Sequence, residues 1–94
     1  MTLNYNAIPE HLRGGMQRFV ERGTPPGHFL TAILSNDLMG AVRRGDDASQ
    51  AAMPVIARWL YSNAPCWCFG SPDRVDGWIA RGGLAGGADA EVAA

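Results

Sequence analysis

Lysine is absent from this chain, and all eight basic side chains are arginines: Arg13, Arg18, Arg22, Arg43, Arg44, Arg58, Arg74 and Arg81. A long apolar run is missing too. No window approaches the roughly 18 consecutive apolar residues of a membrane span, and the N-terminus lacks the charged start and apolar core of a signal peptide. These absences point to a cytoplasmic chain with no membrane segment. Nor is there an excess of one charge. A formal net charge of -1 and a sequence pI near 6.0 leave no global basic footprint for nucleic-acid backbones, which argues against nucleic acid as the partner except through a local cluster.

Cysteine occurs only at Cys66 and Cys68, with Trp67 between them. Two cysteines this close form a bridge only with strain, and they lack the second pair that makes a zinc motif specific. His11 and His28 complete a four-ligand set only on paper, so two buried free thiols beside an aromatic residue are expected. Catalytic signatures are missing as well. There is no glycine-rich loop joined to Lys-Ser or Lys-Thr, no His-Glu pairing on one helix, and no base near Ser35 in sequence. Asp73 and Asp76 share a helix turn, yet Asp73 is accounted for by the helix dipole. No enzyme, no metal and no cofactor are expected.

The 94 residues suffice for one core of ordinary domain size, about 50 to 250 residues. Pro9 and Glu10 open a first helix over about 9–22, closed by Gly23, with Ile8, Leu12, Met16, Phe19 and Val20 forming its apolar stripe. Gly14-Gly15 interrupts it and calls for a kink or the close approach of another backbone. The rigid Thr24-Pro25-Pro26-Gly27 connector leads to a second helix over about 28–44, ended by Gly45. Asp46 or Asp47 caps a third over about 47–63, in which Pro54 implies a kink or a later start. Ser71-Pro72-Asp73 is a strong start for a fourth over about 72–81, stopped by Gly82-Gly83. The expectation is an all-α bundle of four helices over 1–84, with a flexible tail over 85–94. Without the tail's Asp89 and Glu91, the same side-chain count leaves about +1.

Inside the apolar stretch "FLTAILSNDLMGAV" lies the polar triplet Ser35, Asn36 and Asp37. On one continuous helix, Leu30, Ile33, Leu34, Leu38 and Ala41 share a face and Asp37 falls among them. Asp37 is therefore expected in the core as a structural acceptor, with Asn36 at the edge of that face; a surface pocket holding both is the alternative. On the first helix, Arg13, Gln17, Arg18, Glu21 and Arg22 form the candidate partner-binding face, because arginine is over-represented at the energetic centres of interfaces.

The segments "IPEHLRGGMQRFVERGTPPGHFLTAILSNDL" (8–38), "ARWLYSNAP" (57–65) and "GSPDRVDGWIARGGL" (70–84) resemble small proteins encoded by bacteriophages and prophages of GC-rich bacteria. A lysine-free chain rich in Ala, Gly and Arg agrees with such codon usage. Phage accessory proteins of this size resemble, as a class, inhibitors of bacterial defence, including anti-CRISPR proteins that bind a Cas subunit. That class shares no fold or motif, so the link rests on size and inferred origin. The resemblance implies a non-enzymatic inhibitor that blocks a host defence subunit sterically, since the near-neutral balance departs from acidic DNA mimicry. A phage regulatory or accessory protein that binds nucleic acid or self-associates is the alternative.

Overall fold

Short-range stop and start signals divide this chain into helices, and they do so once more often than its apolar periodicity suggests. The computed structural model describes residues 3–86. Among these the chain is all-helical, with α1 (Glu10–Arg22), α2 (His28–Leu34), α3 (Leu38–Arg44), α4 (Asp47–Asn63), a 3-10 turn (Cys66–Cys68) and α5 (Pro72–Arg81). The expected helix over 28–44 is thus two helices, and the four-helix count is corrected to five with a 3-10 turn among the described residues. Most of the expected tail, 87–94, lies outside the described residues, while residues 83–86 form a helical turn.

The triplet at 35–37 is the break. Asn36 takes a left-handed conformation at φ 63. Its N–H donates to Ile33 O at 3.1 Å and the next N–H, of Asp37, to Ala32 O at 2.8 Å. This pair of bonds is the Schellman stop, with asparagine in the place that glycine usually takes. Asp37 then starts α3, its Oδ1 accepting from Gly40 N at 2.9 Å. Both Asn36 and Asp37 are exposed, so the expectation of buried polar residues is corrected. The Asp37 carboxylate finds its donor in the first turn of its own helix, and no core partner is required.

α1 runs through Gly14 and Gly15 without interruption. No foreign backbone takes the space beside them: a methyl at Gly14 would lie 3.1 Å from Arg18 Nη1, and one at Gly15 3.4 Å from Leu30 Cδ1. The close backbone approach is at the other end of the helix. Gly23 (φ 72) and Gly83 (φ 70) end α1 and follow α5, and a methyl on Gly83 would fall 2.5 Å from Gly23 N. Only glycine combines the left-handed conformation with so little volume. Beside this contact the indole of Trp78 donates to Phe19 O at 3.0 Å and to Val20 O at 3.1 Å, tying α5 to carbonyls near the end of α1.

α4 starts at Asp47 with Asp46 as its cap, and passes through Pro54 as one helix. Pro54 and Gln50 are both exposed, so the Gln50 carbonyl that loses its helical donor can turn to water. The Gln50 side chain meanwhile closes α3, donating to Val42 O at 2.7 Å and Gly45 O at 3.0 Å. The buried apolar side chains, Phe19, Ile56, Trp59 and Trp78 among them, form one cluster. Full burial of one large apolar side chain contributes about 1.5 to 3 kcal/mol. Residues ahead of α1 also join the core: Tyr5 stacks on Trp59 with centroids 5.0 Å apart, and the Trp59 indole donates to Asn4 O at 2.7 Å.

Candidate functional site

The break at 35–37 leaves a groove between its own residues and α4. Ile33, Asn36 and Leu38 make one wall; Met53, Pro54 and Ala57, a single face of α4, make the other, around a cavity of about 310 Å³. Ile33, Asn36 and Ala57 also line an adjoining second cavity of about 460 Å³ that reaches Tyr61, Phe69 and Arg74.

Leu38 and Tyr61 of the groove lining are large apolar side chains left exposed, as are Met39 and Val42 elsewhere on α3. Leu38 is 63% exposed, Met39 76% and Tyr61 82%. Val42, one turn beyond Leu38, is exposed as well. A restart of the helix at Leu38 turns Gly40 and Ala41 inward and leaves Leu38, Met39 and Val42 outside. Tyr61 is held edge-on to Phe69, with centroids 5.1 Å apart. Exposed apolar residues gathered around a concave surface mark interaction sites, whereas scattered ones carry no such meaning. The groove also has polarity, with the Asp37 carboxylate at one end and Arg74 at the other. Arg74 Nη1 donates to Cys66 O at 3.3 Å and Phe69 O at 3.4 Å, which positions the guanidinium at the rim.

Of the five residues expected on the partner-binding face of α1, two make hydrogen bonds within the chain. Arg13 folds back, its Nη2 donating to Ile8 O at 3.0 Å, and is half-buried. Glu21 accepts from the Tyr5 hydroxyl at 2.9 Å. Gln17, Arg18 and Arg22 are exposed. Two of the five residues therefore fasten the N-terminal segment, and three are free to meet a partner. His11 Nε2 lies 3.1 Å from Ser49 Oγ.

The titratable groups with clear shifts lie outside the groove. Burial and the hydrogen bond to Glu21 push the Tyr5 hydroxyl above its ordinary range. Burial pushes the Cys68 thiol up to about 12. The Asp46 carboxyl is held below its usual value, first by the Ser49 backbone N–H and then by the Ser49 hydroxyl. Cys66, expected buried beside Cys68, is exposed, because the 3-10 turn sends successive side chains to different sides. Among the described residues no three His, Cys, Asp or Glu side chains gather in a metal-binding arrangement. No helix there is long and apolar enough to cross a membrane.

Sequence reasoning missed Leu38, Met39, Val42 and Tyr61 as surface residues. The signal that would have found the first three was Asn36-Asp37 read as a helix stop followed by a cap. Compared with protein-family models, curated proteins and solved structures, the chain matches none.

Proposed function

We propose that this protein acts by binding another protein through the groove between the helix break and α4, without catalysis and without a cofactor. One observation carries the reading: Leu38 and Tyr61, both exposed, line two adjoining cavities that share Ile33, Asn36 and Ala57, the first of them mainly apolar, and Met39 is exposed next to Leu38 in the chain. The occupant is a protein segment with an apolar ridge, a donor toward Asp37 and an acidic group toward Arg74. Taken with the resemblance to small phage proteins, the proposed role is inhibition of a host defence complex, of the anti-CRISPR type, by steric blocking of a Cas or other subunit in the bacterial cytoplasm.

The test is capture by tagged protein from lysate of a GC-rich host carrying CRISPR-Cas and other defence systems, followed by identification of what stays bound. A stoichiometric Cas or other defence subunit supports the reading. Recovery of nucleic acid alone, or only of the protein itself, replaces it with a regulatory or self-associating role.

A further inference from the structure

A separate depression of about 450 Å³ lies where α1, the connector after it and the end of α3 meet. Four groups that carry or can gain positive charge line it: His11 and Arg18 from α1, His28 from the start of α2, and Arg44 from the end of α3. Between them the lining is apolar, supplied by Leu12, Phe29 and Leu30. Arg13 and Arg74 donate to backbone carbonyls, whereas Arg18 and Arg44 have no acceptor among the described residues. The carboxylate facing His11 is Asp46, already engaged by Ser49 N at 2.8 Å.

The glycines here are not explained by the fold. Gly15 and Gly27 line the depression, and neither has a positive φ. A methyl at Gly27 would meet nothing within 4 Å, and one at Gly15 would make only an ordinary contact with Leu30. Glycine inside a helix lowers its stability, so packing gives no reason for Gly15. Their smallness keeps the depression open, and the bare backbone at Gly14 lets the Arg18 guanidinium lie along α1.

We propose that this depression binds a small phosphorylated molecule that carries an apolar or aromatic group. Two arginine forks, the His28 imidazole and the His11 ring nitrogen that does not face Ser49 offer more donors than one carboxylate accepts, and they suit the several terminal oxygens of a phosphoryl group. The apolar part rests on Leu12, Phe29 and Leu30. The volume lies within the range of about 300 to 1,000 Å³ usual for small-molecule pockets. This site is independent of the groove and of any partner bound there.

The experiment is a titration of the full chain, labelled with nitrogen-15, with adenosine monophosphate and separately with adenosine, at physiological chloride. The nucleotide is expected to give saturable shifts at the amides of Gly15, Gly27 and Arg44, with adenosine at least about tenfold weaker. The double variant Arg18→Gln, Arg44→Gln should weaken the nucleotide by about tenfold or more with an unchanged melting temperature, since both side chains are exposed. Gly27→Leu, which leaves the charge alone, should block the shifts at Gly15 and Arg44. Absence of saturable shifts, equal binding of adenosine, or undiminished affinity in both variants would overturn the proposal. So would tighter binding of a single-stranded oligonucleotide with shifts spread to Arg22 and Arg43, which would make this an extended nucleic-acid surface.

Discussion

Substitution at Asn36 reads the helix break by the sign of its effect. Asn36 sits at φ 63, where an L residue with a Cβ is disfavoured by about 1 to 2 kcal/mol and glycine is not. Glycine's greater freedom in the unfolded chain offsets part of this, leaving Asn36→Gly more stable than Asn36→Ala by about 1 kcal/mol. On a continuous helix over 28–44 the order would reverse, with alanine better by about 1 kcal/mol. Asp37→Ala removes the acceptor for Gly40 N at 2.9 Å and should cost about 1 kcal/mol. Asp37→Ser, which keeps a capping oxygen, should retain most of it. For a chain of this size each kcal/mol moves the melting temperature by about 4 to 8 °C, well within calorimetry or far-UV circular dichroism. A melting temperature for Asn36→Ala equal to or above that of Asn36→Gly would refute the broken helix, and with it the outward turn of Leu38 and Met39.

Gly83→Ala should destabilise by about 2 to 4 kcal/mol, combining left-handed strain with overpacking, because its methyl would fall 2.5 Å from Gly23 N. The control is Gly77→Ala, where the space is open and a gain of about 0.5 to 1 kcal/mol is expected; equal effects in a denaturant titration would deny the contact between the helix ends. In native protein a maleimide should label Cys66 quickly and leave Cys68, buried and raised to about 12, untouched until unfolding. Rapid labelling of both by mass spectrometry would contradict that burial. Tyr5 is raised above its ordinary 10.0, so its contribution is whole below that pH and is lost as pH rises through the folded value. The melting temperature of Tyr5→Phe should therefore fall less steeply above pH 10 than that of the unsubstituted protein, and parallel curves would reject the coupling.

Helix boundaries were legible where their signals are local. Asp46 caps α4 by accepting from Ser49 N, Ser71 caps α5 by accepting from Arg74 N, and Gly23 and Gly82 end their helices at positive φ. Each of these acts within one turn of chain. The division at 35–37 was hidden because Leu30, Ile33, Leu34, Leu38 and Ala41 fit a single wheel. α2 and α3 have only seven residues each, too few for a change of register to disturb the pattern. The groove depends on that division, and so it was hidden too. Contacts between residues far apart in sequence carry no local signature at all: Tyr5 on Trp59, or the Trp78 indole on Phe19 O. One such contact, from the Tyr5 hydroxyl, engages Glu21, whereas Arg13 is held by the nearby Ile8 carbonyl and Gln17, Arg18 and Arg22 remain exposed.

The groove as the protein-binding surface is tested most directly by measuring the affinity of a captured defence subunit for three chains: unsubstituted, Leu38→Asp with Met39→Asp, and Arg18→Glu with Arg22→Glu. All four side chains are exposed, so the folds should be unaffected and melting temperatures alike. The expected result is a loss of at least about tenfold on changing Leu38 and Met39 and little change on reversing Arg18 and Arg22. Retained affinity in the first variant with a loss in the second would contradict the groove and put the interface on α1.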